Sequence, residues 1–408
     1  MKRAKPFVFC LLFLLTLLIT SCDKDSAGKP TSPPETEPTA TTILTPTIAP
    51  TATPLVASEG LKFTKQHTDG YYVSAIGTCT DTTVIIPVEY NGAPVTGIAS
   101  SAFDGNQDIK KVIMQHSIKV IEQTAFKNCS GLEEIIFSEN LTTIEREAFS
   151  FCTGLKEIKI PDRVTVIEEA AFMGCTSLEN VVLGKSVEKL LAGCFASCNI
   201  KSIYFPASFK LLAESTICTN ALEQITIDPA NRLYQVKDNC LMLGDTLMLS
   251  NKNGNLPEGT VIIGDGAFYQ NTNLEDFIIP EGIISLGKFS FGGCENLKNI
   301  SLPQSLALIE TWAFTACDNL TNIIVPKATS LQKQAFYECH NLTHVYYEGK
   351  MSEWNYVSLT SEISTRDLYL CVYADSEEEI RQTDTSEYSE LFFWRYIDGK
   401  PIIYDNIG

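Results

Sequence analysis

The sequence predicts a β-rich solenoid of stacked repeats, on three observations. Phenylalanine recurs every 23 residues at Phe103, Phe126, Phe149, Phe172 and Phe195, then at Phe268, Phe291 and Phe314, and after 22 more at Phe336. Around each stands one template, L-x-x-I-x-I-x-x-x-V-x-x-I-x-x-x-A-F-x-x-C/N. The third observation is what a unit of that size lacks. It cannot bury its apolar side alone, so neighbours must stack, and stacking builds a long surface suited to binding rather than one catalytic cleft. A fixed period of 20 to 29 residues with Leu and Ile at these offsets is that of a leucine-rich-repeat solenoid.

Taken in order, residues 1–21 read as a secretory signal. Lys2, Arg3 and Lys5 form its charged start, Phe7 to Ile19 its apolar stretch, and Ser21 precedes Cys22. The apolar run is short for a membrane span, which needs about 20 residues. Ile19-Thr20-Ser21-Cys22 resembles a bacterial lipobox, which implies a diacylglyceryl anchor on Cys22; the alternative is an ordinary signal cleaved nearby. Residues 22–57 are a Thr/Pro-rich tether (Thr45-Pro-Thr-Ile-Ala-Pro50) without aromatics for a core. Pro-rich chain extends by about 3.1 Å per residue, so this tether could hold the folded part well away from its anchor.

Residues 58–99 are expected to form an N-terminal cap of extended segments with a turn at Asn91-Gly92. Repeats fill 100–227, the sixth degenerate, with Ile217 where Phe belongs. At 228–259 the period breaks. Cys240-Leu-Met-Leu243 and Thr246-Leu-Met-Leu249 around Gly244-Asp245 predict a β-hairpin insertion. Repeats resume over 260–347, and 348–408, with Trp354, Trp394 and an acidic stretch from Ser376 to Glu390, are expected to cap the other end. Within a repeat, Leu132, Ile135 and Phe137 point inward and the residues at +2 and +4 from the Leu point outward. One long parallel sheet should form on that side, with short extended or 3-10 segments returning on the other.

Seven cysteines (Cys129, Cys152, Cys175, Cys198, Cys294, Cys317, Cys339) fall three residues after the repeat Phe, where Asn106 and Asn271 also stand. A slot that accepts Cys or Asn needs a small buried donor aimed at a neighbouring carbonyl. Stacked positions about 4.8 Å apart with parallel Cβ vectors do not suit a disulfide, whose Cβ atoms lie about 3.8 Å apart. A ladder of free thiols is therefore expected.

The unit I-E-x-x-A-F-x-x-C-x-x-L-x-x-I-x-I-P, at Ile144 to Pro161 and again at Ile309 to Pro326 with Val325 before the proline, closely resembles BspA-type leucine-rich repeats of bacterial surface proteins. The entry Ile85 to Ile98, the hairpin insertion, and the segments Tyr346 to Trp354 and Phe393 to Pro401 share the resemblance. It implies a protein displayed on the outer side of a bacterial membrane, adhesin-like, whose partner is a macromolecule such as a host matrix protein or another cell surface. The family carries no catalytic motif to transfer.

Chemistry is sparse. A formal net charge of −18, more negative once the basic leader is removed, disfavours nucleic acid, which needs Lys and Arg at its phosphates. No G-x-S-x-G, H-E-x-x-H or phosphate-cradling glycine loop is present, so no enzyme, cofactor or metal is expected. His340 and His344 follow Cys339, but the template turns Cys339 inward and His344 outward, which cannot converge on one ion. One column stands out: the outward +4 positions Ile113, Ile136, Val182, Tyr204, Ile278, Ile324 and Tyr346, interleaved with Lys159, Thr226 and Ser301. They are the candidate ligand-binding residues. Two readings stay open, because Ile, Val and Tyr suit any exposed strand, whereas an apolar stripe rimmed by polar groups marks a recognition surface. A glycan-binding module using Tyr204, Tyr346, Trp354 and Trp394 is the alternative function, and a spacer without ligand the third.

Overall fold

The computed structural model describes residues 55–67, 70–349, 369–374, 391–397 and 400–403, within a compact unit spanning Pro54–Gly408. The signal, the lipobox, most of the tether and the acidic stretch from Ser376 lie outside the described residues. Those described form a succession of short strands and turns without an α-helix.

Each coil carries two strands. The longer ones, among them Lys111–Met114, Glu134–Ile136, Glu157–Lys159, Asn180–Val182, Ser202–Phe205 and Gln224–Ile227, stack in parallel with like positions in register. Alternation decides their faces: Ile135, Ile158 and Val181 are buried, while Ile136, Lys159 and Val182 are exposed. The return segments resolve into a second parallel ladder of two-residue strands, such as Val120–Ile121, Thr143–Ile144 and Val166–Ile167. The long parallel sheet expected from the sequence is the ladder of longer strands, here the outer ladder, and the return segments, expected as extended or 3-10, form a second ladder of their own. The outer one is interrupted between Glu134–Ile136 and Glu157–Lys159, at the insertion, and between Asn299–Ser301 and Asn322–Val325.

The third side is a corner of interlocked turns, set by the Phe. In the Phe126 coil the N–H groups of Ala125, Lys127 and Cys129 donate within the coil to Glu122, Thr124 and Phe126. Those of Thr124, Phe126 and Asn128 donate along the stack to Arg146, Ala148 and Ser150 of the next coil, at 2.8–3.1 Å. Every N–H of the corner is therefore used, alternately inward and forward. Positive φ at the second residue before and after the Phe makes this alternation possible: Thr124 (57°) and Asn128 (58°), then Glu147 (56°) and Phe151 (61°). Glycine takes these slots at Gly105, Gly174, Gly193, Gly266 and Gly293.

The Phe rings stack face to face through the interior. Centroids lie 4.8 Å apart for Phe103–Phe126, 5.0 Å for Phe126–Phe149 and 5.2 Å for Phe149–Phe172, with planes within 6° of parallel. Beside them runs the thiol ladder. Cys129, Cys152, Cys175 and Cys198 donate S–H to the carbonyls of Phe103, Phe126, Phe149 and Phe172 at 3.0–3.2 Å. Cys294, Cys317 and Cys339 repeat the bond to Phe268, Phe291 and Phe314. Among the described residues the cysteines form no disulfide, and all are buried except the half-buried Cys79. Asn271 substitutes by donating its Nδ2–H to the Asn251 carbonyl at 3.0 Å.

The insertion is a three-stranded antiparallel meander, Gln235–Lys237, Cys240–Leu243 and Thr246–Leu249, whose last strand pairs in parallel with Ile262–Ile263. It separates two apolar clusters: Leu241 and Leu249 belong to the amino-side core, Cys240, Met242 and Leu247 to the carboxyl-side one. At the other end, Tyr369–Tyr373 and Leu391–Ile397 prolong the outer ladder in parallel, and Lys400–Ile403 closes it antiparallel. At the start, Lys62–Lys65 pairs antiparallel with Tyr71–Ala75, which in turn joins Ala93–Ile98 in parallel. Its exposed edge carries Lys62 and Lys65, charges that discourage further strand addition.

Two tests follow from this core. Phe149→Ala removes a ring packed on both faces and edge-on against Phe137, and should destabilise the chain by about 3–5 kcal/mol, read as the denaturant midpoint. Cys152→Ser keeps the donor and should be mild by comparison. Burial also pushes the Cys152 and Cys175 thiols well up, and those of Cys218 and Cys294 to about 12. A thiol whose folded pKa is raised contributes stability that is complete below its unfolded value, about 8.5, and is lost as pH climbs toward the folded one. Melting temperature should therefore fall progressively above about pH 8.5 and should not respond to added reductant; a reductant-sensitive transition would mean bridged cysteines.

Candidate functional site

The outward face of the longer ladder is built column by column. At +4, Ile113 pairs with Ile136, Lys159 with Val182, Tyr204 with Thr226 and Ile278 with Ser301. Exposure separates the candidates. Ile278 is 77% exposed, Val182 54%, Tyr204 45% and Ile136 43%, whereas Ile113 and Ile324 are half-buried. Tyr204 is also pinned: its hydroxyl donates to Asp228 Oδ2 at 2.9 Å, and that bond pushes its pKa up. A ring held in one place loses little freedom when something packs on it.

Tyr346 is different. It packs edge-on against Trp394 with centroids 5.2 Å apart, and Trp394 is fully buried, its Nε1–H donating to the Tyr347 carbonyl at 2.9 Å. Cys371, paired with Tyr346 on the same outward register, is fully buried too. The carboxyl end of the face is thus covered, and the open stripe runs from Ile136 to Ile278. Trp354 lies outside the described residues.

The first column, at +1, alternates in sign: Lys110, Glu133, Lys156, Glu179, Lys201, Glu223. Neighbouring coils are bridged along it by Lys156–Glu133 at 3.1 Å and Lys201–Glu179 at 2.6 Å, and Lys252 follows with Glu223 at 2.7 Å. The adjacent carboxylates Glu133 and Glu134 turn to opposite neighbours, Glu133 to Lys156 and Glu134 to Lys111. Such exposed pairs are each worth about 0–1 kcal/mol and act by keeping coils in register.

Sequence reasoning missed one feature of this face. Where pairing is interrupted beside Glu134–Ile136, a cleft of about 380 Å³ opens, lined by Ile136, Phe137, Lys159 and Val182. A wider, shallower depression bounded by Asn140, Arg163 and Lys185 adjoins it across Phe137 and Lys159. The cleft lies at Phe137-Ser138, where the next coil has Ile160-Pro161: the half-buried Phe137 ring stands edge-on to Phe149 (5.6 Å, 82°), whereas Ile160 is buried and its N–H donates to the Val182 carbonyl at 2.9 Å.

Among the described residues no group of three or more His, Cys, Asp or Glu could hold a metal ion. His340 Nδ1 lies 2.6 Å from Asp318 Oδ1, and His344 stacks on Tyr346 in the strand (5.7 Å, 9°).

With this geometry in place, comparison with known proteins assigns the chain. The model of the BspA type leucine rich repeat region matches in six copies over residues 96–240 and 249–366, and the chain belongs to this family. Among solved structures it is similar to the pneumococcal vaccine antigen PcpA, at 22% identity and a TM-score of 0.63 over 82% of this chain and 97% of that one. It is also similar to a leucine rich cell surface protein of Faecalibacterium prausnitzii, at 20% identity and a TM-score of 0.55 over 74% of this chain and 97% of that one. A comparison with curated proteins finds no match.

Proposed function

We propose that this chain is a non-enzymatic, cell-surface binding protein, held on the outer side of a bacterial membrane through Cys22 and presenting its outer strand face to a macromolecular partner. The observation that carries this reading is the open apolar stripe. Ile136, Val182, Tyr204 and Ile278 stand 43–77% exposed on the outward face of the longer strands. Water-exposed aliphatic groups rimmed by Glu, Lys and Asn are the composition of a recognition patch. The names of the similar structures, a cell surface protein and a vaccine antigen, agree with display outside the cell. The glycan-binding alternative is weakened because Trp394 and Tyr346 pack against each other rather than presenting ring faces.

Two experiments test the reading. Cys22→Ser should release the protein from the membrane fraction of cells that make it; unchanged membrane association would remove the lipid anchor from the picture. Screening the purified chain against matrix proteins and glycans should yield a protein ligand. Ile136→Asp, Val182→Asp and Tyr204→Ala together should then weaken its binding by tenfold or more, since central truncations in an interface cost about 2 kcal/mol or more each. The melting temperature should hold, because these side chains point away from the core. Unaltered affinity in a folded triple variant would move the site to the insertion or to a cap.

A further inference from the structure

The charge alternation at the edge of this face is self-complementary under a two-fold axis. We propose that a second copy of this chain is a partner of the face, the two outer ladders meeting antiparallel along their stacks. The two-fold axis runs along the strand direction, midway between the coils of Lys156 and Glu179.

Such an axis sets each column of side chains against the same column of the partner and reverses the order of coils, as an isologous contact requires. At +1, Lys156 then faces the partner's Glu179, Glu133 the partner's Lys201 and Lys110 the partner's Glu223, every pair of opposite sign. Within one chain Lys156 bridges to Glu133 and Lys201 to Glu179, so pairing joins these bridges into closed squares of four charges. At +2, Glu157 meets the partner's Asn180, Glu134 the partner's Ser202 and Lys111 the partner's Gln224, with no like charges opposed. Farther along the coil, Asp162 meets the partner's Lys185.

At +4, Ile136 meets the partner's Tyr204. In the two central coils Lys159 meets the partner's Val182, and at the ends Ile113 meets the partner's Thr226, so this column too opposes no like charges. A patch six coils long and one strand wide belongs to the weak class, below about 1,200 Å² in total, which suits molecules crowded on a surface. Because the stacks run oppositely, the amino-terminal coils of the two copies lie at opposite ends of the pair.

The inference rests on the reading of the outer face as a recognition surface, and cross-linking can test its register directly. Full-length chains carrying Cys10→Ser, Cys22→Ser and Cys79→Ser keep only buried native thiols. On this background, Glu134→Cys chains mixed with Ser202→Cys chains and a mild oxidant, copper phenanthroline, should give a disulfide-linked heterodimer. Glu134→Cys with Asn299→Cys, also exposed but out of register, should give about tenfold less. Adding Lys156→Glu and Lys201→Glu to the first chain should abolish the product, as like charges opposed cost several kcal/mol. Adding Glu133→Lys and Glu179→Lys to the second chain as well should restore it. A merely structural role for the bridges predicts no restoration, since both chains have lost their own pairs. Equal cross-linking in and out of register, no product in either mixture, or no rescue by the doubly exchanged pair would overturn self-pairing. Loss of self-pairing alone would leave a matrix-protein ligand of the stripe untouched, whereas a stripe variant that binds its ligand normally counts against the face itself.

Discussion

A phenylalanine ring has two faces, and in this fold neither can be covered by the coil that carries it. Phe149 lies between Phe126 and Phe172 at 5.0 and 5.2 Å, and the same holds at each interior step. Burying one such ring contributes about 1.5–3 kcal/mol by transfer, with about 0.5–1.5 kcal/mol more for an aromatic pair, and both gains exist only when the neighbour is in place. Stability is accordingly held between coils rather than within them. The remaining parts serve that contact. The corner's N–H groups reach forward at the spacing of the rings, the thiols fill the gap beside them and satisfy the Phe carbonyls, and the bridges on the surface keep the register.

This dependence explains where the regularity ends. The ring column lapses at Ile217, which is joined to Phe195 by an isolated parallel bridge. There the meander supplies apolar residues to both sides, Leu241 to one core and Met242 to the other. Continuity is kept by the backbone, since the Thr219 N–H donates to the Tyr269 carbonyl at 3.0 Å. The chain's ends meet the same need with strands: an antiparallel pair at Lys62–Lys65 and a prolonged ladder at Tyr369–Tyr373 that brings Trp394 over Tyr346.

Most of the coil is legible in the amino acids because one position carries one constraint. The Phe period, the inward Leu and Ile, and the Cys or Asn slot each follow from repetition, and the cysteines' bond to the preceding Phe carbonyl is the one their chemistry implies. Asn271 instead donates to Asn251, and Asn106 accepts from the Asp108 and Ile109 N–H groups. The second ladder was less visible, because two-residue strands such as Thr143–Ile144 are too short for alternation to register. The left-handed corner residues were marked only by scattered glycines, Gly105, Gly174, Gly193, Gly266 and Gly293, among occupants as different as Glu147 and Trp312. On the candidate face, outward direction could be read but openness could not. Nothing local to Tyr346 tells that Trp394, far along the chain, packs over it. The cleft beside Phe137 likewise lies at a break in strand pairing that no single residue announces.

The alternating use of N–H groups at the corner also limits how this gene can change. A whole coil may be duplicated or deleted and every donor still finds a carbonyl, because each coil offers the preceding one the same three acceptors. A fraction of a coil would leave a buried row of donors facing the wrong residues. Longer insertions must therefore return the chain to the rung it left, as the segment between Ile217 and Phe268 does. Length is a freely variable trait in such a chain, in whole-coil steps, while the cross-section is not.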